Sequence, residues 1–123
     1  MRILVCEDHD SIRTMITTLV AARGHEVVGV ASGTKAVDRA LAEPFDVLLL
    51  DLMLPGPLDG FAVCRRLRAE PATATLPIVV ISAMDHEDAR RRAAEAGADA
   101  FYSKPFRPTE LLRELDRATQ RRS

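Results

Sequence analysis

The sequence predicts an α/β fold in which a parallel sheet is covered by helices on both faces. Short unbroken apolar runs at residues 3–6, 47–50 and 78–81 read as strands buried on both sides. Between them lie stretches whose apolar residues recur at helical spacing. The two kinds of segment alternate strictly, five times over, with short loops, which argues for right-handed crossovers and one parallel sheet. A chain of 123 residues is too short for an eight-fold barrel.

The first strand is Ile3, Leu4, Val5 and Cys6, and it stops at Glu7, Asp8, His9 and Asp10. Asp10 or Ser11 then caps a helix with Ile12, Met15, Ile16, Leu19 and Val20 on one stripe, and Gly24 follows as its C′ residue. Residues 25–30 form a second strand. The Ser32-Gly33 turn opens a helix carrying Val37, Ala40 and Leu41, and Pro44 ends it. The third strand, 47–50, delivers Asp51 at its carboxyl end. After Pro55, Gly56 and Pro57, Asp59 caps a third helix with Phe61, Cys64 and Leu67 on one face. Residues 71–75 are a loop, and Pro77 opens the fourth strand, which ends at Ser82. A helix from near Asp85 to Ala96 finishes at Gly97. A short strand from about Ala100 to Ser103 leads to Lys104 and Pro105. The last helix starts near Pro108, carries Leu111, Leu112 and Leu115, and leaves residues 121–123 as a tail after a single domain over 1–120.

Composition narrows the function classes. With 47% hydrophobic residues the chain suits one domain with a true core. A formal net charge of −1 points to neither nucleic acid nor an anionic membrane as a direct partner. No segment has membrane-spanning length and the N-terminus lacks signal-peptide regions, so the expected compartment is the cytoplasm. Cys6 and Cys64 have no metal or redox spacing and read as buried thiols.

In a parallel sheet all carboxyl ends share one edge, where open α/β sheets place their ligands. Glu7 and Asp8, Asp51, Ser82 and Lys104 therefore converge there, although far apart in sequence. Alone, Asp51 would be no more than the first polar residue of a solvated loop. Together, three carboxylates need a cation, and all-oxygen ligands suit Mg²⁺. Lys104 brings a compact charge for a phosphate or carboxylate oxygen and Ser82 a neutral hydroxyl. A metal site, a lysine, a hydroxyl and a carboxylate nucleophile suit phosphoryl transfer to an aspartate.

Ile3 to Asp8, Asp51 to Gly56, Ser82-Ala83 and Lys104-Pro105-Phe106 taken together closely resemble the receiver domain of bacterial two-component response regulators, over essentially the whole chain. The resemblance implies a flavodoxin-like (βα)5 three-layer sandwich, its five strands in the order 2-1-3-4-5. It implies that Asp51 is the phosphoacceptor for a sensor histidine kinase or a histidine phosphotransfer protein. Asp8 and Asp51 would bind Mg²⁺, with Mn²⁺ as its substitute, together with the backbone carbonyl of Met53, while Glu7 acts through water. Lys104 would pair with Asp51 and then with the phosphoryl group, and the Lys104-Pro105 bond would be cis. Ser82 and Phe101 match the switch positions, which would alter the surface of the fourth helix, fifth strand and fifth helix and so control an output domain or partner. Phe101 could otherwise be an ordinary core aromatic, and Tyr102 is its neighbour.

Several positions depart from the family's pattern. The loop from Pro55 to Gly60 is one residue longer than usual and carries two prolines, which should stiffen it. Met53 and Met84 border the expected path of an attacking water and cannot orient it, so slow self-dephosphorylation is expected. Arg90, Glu95, Asp99 and Glu110 match positions of a family dimer through the fourth helix, fifth strand and fifth helix. Ala100 and Glu114 stand where an acid and an arginine are expected. Arg90, Arg91 and Arg92 read as a solvated face. His9 gives weak evidence for zinc, and His25 and His86 look like surface residues. The expected function is a signalling switch that catalyses its own phosphoryl transfer, rather than a metabolic enzyme. The competing functions are a phosphorylation-independent interaction module and an aspartate-nucleophile phosphatase, which needs a second acid where Met53 stands.

Overall fold

The computed structural model describes all residues except 85 and 123, and the side chains of all of these except 119, 121 and 122. Ten elements alternate: β1(Arg2–Cys6), α1(Asp10–Ala21), β2(Glu26–Val30), α2(Gly33–Ala42), β3(Val47–Leu50), α3(Gly60–Ala69), β4(Ile78–Ser82), α4(Glu87–Ala96), β5(Ala100–Ser103) and α5(Pro108–Arg122). All strand pairs are parallel, in the order β2-β1-β3-β4-β5. This is the expected three-layer (βα)5 sandwich.

The strand alternation divides the core in two. Leu4, Cys6, Leu48, Leu50, Ile78 and Val80 face α2, α3 and α4, meeting Val37, Phe61, Cys64, Leu67 and Ala93. The intervening Ile3, Val5, Val47, Leu49, Val79 and Ile81 face α1 and α5, meeting Ile16, Val20, Leu111 and Leu115. β3 is therefore apolar at every position and β4 from Ile78 to Ile81, because both faces are covered. The helical stripes are narrower than expected: Met15 is 51% exposed and Leu41 38%.

The caps differ in detail. His9, not Asp10 or Ser11, is the N-cap of α1, and it makes no side-chain capping bond. The cap of α1 at its other end is Ala22, so Gly24 lies two residues beyond it, with φ 87°. Asp59 caps α3 as expected, accepting from the Ala62 N–H at 2.9 Å. Asp85 lies outside the described residues; His86 caps α4, its Nδ1 accepting from the Ala89 N–H at 3.0 Å. Helix α5 continues to Arg122, so the expected tail is helical at 121 and 122, and Ser123 lies outside the described residues.

Arg68 fastens the amino edge of the sheet. Its guanidinium donates to the carbonyls of Gly97, Thr73, Ala74 and Leu76 and to Asp99. Gly97 is in the left-handed region at φ 112°, and a Cβ there would stand 2.6 Å from Arg68 Cγ.

Candidate functional site

Backbone hydrogen bonds continue the ladder one residue past the strand ends and so fix the site residues. The N–H of Glu7 donates to Val30 O, that of Asp51 to Cys6 O, and that of Lys104 to Ser82 O, at 2.9–3.0 Å. Glu7 and Asp51 are consequently buried, 2% and 5% exposed, at the edge where β1, β3 and β5 end. Lys104 Nζ lies between them, 2.5 Å from Glu7 Oε1 and 3.1 Å from Asp51 Oδ2. The Lys104-Pro105 peptide bond is cis.

The electrostatics follow from one ammonium serving two buried acids. For Glu7, burial pushes the pKa up, but Lys104 and the His9 N–H outweigh it and hold the carboxyl below its usual range. Burial dominates at Asp51, with Glu7 adding repulsion, and its pKa is raised despite Lys104 and the Met53 N–H. Burial opposes the charged form of Lys104 as well, yet Glu7 and Asp51 raise its pKa. The shorter contact to Glu7 accounts for the opposite directions at the two carboxyls. Cys6 is an unreactive thiol, because burial, then Asp51 and Glu7, push it up to about 12.

The residues fit a divalent cation. Asp8 Oδ1 is buried with no hydrogen-bond partner, and Glu7 and Asp51 share one ammonium, so the three acids carry more negative charge than Lys104 offsets. Ligating atoms of Glu7, Asp8 and His9 lie within 4.8 Å of one another. Asp51 is outside that trio but is joined to it through Lys104. Met53 donates its N–H to Asp51 Oδ1 at 3.2 Å, and the residue is 56% exposed.

The remaining candidates lie on neighbouring elements. Ser82 is fully buried and its Oγ accepts from the Met84 N–H at 3.1 Å. Phe101 is half-buried on the α4 side, with the Arg90 guanidinium 4.6 Å from its ring centroid. Tyr102 faces the other layer and donates to Glu114 Oε1 at 2.9 Å. The arginine run is not simply solvated: Arg90 also donates to Ser103 Oγ, Arg91 pairs with Asp88 and Glu95, and Arg92 stacks on Phe61. Asp99 is held by Arg68 and by the Ile78 N–H.

Two supporting features escaped the sequence reading. Arg13 Nη1 donates to the Glu7 carbonyl at 2.9 Å, bracing the acidic loop. It lies across Gly29, where a Cβ would come within 3.2 Å of its Cγ and Cδ. The signal was an isolated glycine inside a strand, which marks a close approach. At Gly60 a Cβ would meet Asp51 O and Leu52 Cα at 2.5 Å, so the 55–60 loop can fold back against the end of β3 only over hydrogen.

A parallel five-stranded sheet in this strand order, with buried acids and one lysine at its carboxyl edge, defines a flavodoxin-like α/β domain. The model of the response regulator receiver domain matches residues 3–116, and the chain belongs to that family, whose members are signalling switches. It is 38% identical over 111 residues, 90% of this chain, to the phosphate regulon transcriptional regulatory protein PhoB of Rhizobium meliloti. The chain spans 48% of that protein, and about half or less of the other curated relatives it matches. Among solved structures, it resembles the receiver domain of the sensor histidine kinase PA1611 of Pseudomonas aeruginosa, which has a magnesium ion coordinated in its active-site cleft. That match has 33% identity, a TM-score of 0.90 and 97% coverage of each chain. The BeF3-activated N-terminal receiver domain of Klebsiella pneumoniae RstA matches at 30% identity and TM-score 0.89, covering 97% of this chain and 98% of that one.

Proposed function

We propose that Asp51 accepts a phosphoryl group from a phosphohistidine of a sensor histidine kinase or a histidine phosphotransfer protein, in a Mg²⁺-dependent reaction in which Mn²⁺ can substitute. The observation that carries this is Lys104 Nζ shared between the buried carboxylates of Asp51 and Glu7. The domain acting in this way spans residues 1–120, in the cytoplasm of a bacterial cell.

The Asp51 carboxylate attacks phosphorus in line. An O–P bond forms as the P–N bond breaks, and its electron pair leaves with the imidazole. Asp8, Asp51 and the Met53 carbonyl would hold the cation, with Glu7 acting on it through water. Bound Mg²⁺ neutralises charge on the phosphoryl oxygens. Lys104 passes from the Asp51 carboxylate to a phosphoryl oxygen. The Ser82 hydroxyl leaves the Met84 N–H to donate to the same group, and Phe101 turns into the space it vacates. The Arg90 stack on Phe101 then breaks, which alters the α4-β5-α5 surface presented to an output domain or partner. Arg90, Glu95, Asp99 and Glu110 on that surface serve a homodimer; forming it means releasing Asp99 from Arg68 and Arg90 from Ser103. DNA contact, where the full protein makes it, falls to another domain.

Incubation with acetyl phosphate or phosphoramidate and Mg²⁺, read by intact mass, tests the proposal. Wild type should gain one phosphoryl group and Asp51→Ala none. Equal labelling of Asp51→Ala refutes Asp51 as the acceptor, and no labelling of wild type refutes the proposal and favours a phosphorylation-independent interaction module. An aspartate-nucleophile phosphatase is disfavoured because position 53 holds a methionine, not a second acid.

A further inference from the structure

We propose that His9 adds an imidazole nitrogen to the cation site, so that the site takes Co²⁺, Ni²⁺ or Zn²⁺ more tightly than Mg²⁺. This rests on the cation site of the proposed function and goes beyond its all-oxygen ligand set. His9 Nδ1 lies 3.5 Å from Glu7 Oε2 and 3.5 Å from Asp8 Oδ1. The second of these oxygens is the buried atom with no hydrogen bond of its own. With metal–ligand bonds of about 2.1 Å, the His9–Asp8 edge subtends roughly 110° at a common ion, the angle of a tetrahedral site, while Glu7 stays one water away.

The backbone holds the ring there. His9 precedes the first turn of α1 with φ −74° and ψ 117°, and its N–H donates to Glu7 Oε2 at 3.1 Å. That bond turns residue 9 back over the acids, while its side chain stays 67% exposed and open to an incoming ion. Imidazole suits the later first-row divalent ions and Zn²⁺, whereas Mg²⁺ prefers oxygen and retains its waters. An exposed histidine beside two acids could also serve only as their ion-pair partner, and the test separates the two roles.

The metal-free chain is titrated calorimetrically with CoCl2, ZnCl2 and MgCl2, alongside His9→Gln and Asp8→Asn. His9→Gln should lose at least about tenfold in affinity for Co²⁺ and Zn²⁺ while Mg²⁺ affinity changes less than about threefold. Asp8→Asn should weaken all three. Pulsed EPR of the Mn²⁺ complex should show ring-nitrogen coupling in wild type and none in His9→Gln. Unchanged Co²⁺ and Zn²⁺ binding in His9→Gln, an equal loss for all three ions, or no nitrogen coupling in wild type overturns the proposal. Retained Mg²⁺ binding in that case leaves the phosphoacceptor function standing. Failure of wild type to bind any of the ions refutes both.

Discussion

Replacing Lys104 by Met removes the ammonium that faces two buried carboxylates, 2.5 and 3.1 Å away. At an effective dielectric constant of about 20, each contact is worth roughly 5–7 kcal/mol of attraction. Desolvation of the three charges offsets much of this, and breaking a buried pair costs about 3–5 kcal/mol net. Lys104→Met should therefore lose about 3–5 kcal/mol at pH 7 in EDTA, read by urea denaturation and circular dichroism. The sign of the pH dependence is specific. In wild type, the lowered Glu7 pKa stabilises above its ordinary 4.5, and this is lost as pH falls. The raised Lys104 pKa stabilises below 10.5, and this is lost as pH rises through the folded value. Asp51, with its raised pKa, works the other way and destabilises as pH climbs past 3.8. Without Lys104 both carboxyls are pushed up, so the deficit should be largest at neutral pH and shrink towards pH 4. Mg²⁺ should stabilise the variant by RT ln(1 + [Mg²⁺]/Kd). A variant within 1 kcal/mol of wild type at pH 7, with no recovery at low pH or with Mg²⁺, would refute the shared-ammonium account.

Gly60→Ala forces a Cβ onto Asp51 O and Leu52 Cα; a loss of about 2–3 kcal/mol and slower phosphorylation by phosphoramidate should follow, and unchanged values of both would count against the close approach. Arg68→Met strands the carbonyls of Thr73, Ala74, Leu76 and Gly97. It should cost about 2–4 kcal/mol in urea denaturation while leaving Asp51 phosphorylation intact by mass. Met53→Asn places an amide where it can orient water beside Asp51, and should shorten the acyl-phosphate lifetime; a wild-type lifetime of seconds in Mg²⁺ would contradict slow self-dephosphorylation.

The sequence alone determined the ten elements to within a few residues, because apolar runs and helical stripes are written in neighbouring positions. It also placed Glu7, Asp51, Ser82 and Lys104 at strand ends, since a polar residue closing a doubly buried run marks where the sheet emerges. The caps of α1 were less legible: Asp10 and Ser11 have the right chemistry, and the choice of His9 depends on the Glu7 carboxylate reaching back to the His9 N–H. Tertiary packing alone decided that Lys104 favours Glu7 over Asp51, that Arg13 lies across Gly29, that Arg68 gathers four carbonyls, and that His9 faces the acids. These contacts join residues as much as 97 positions apart. Local periodicity carries no information about them; their distances arise when the crossover helices dock and bring separate strand ends to one edge.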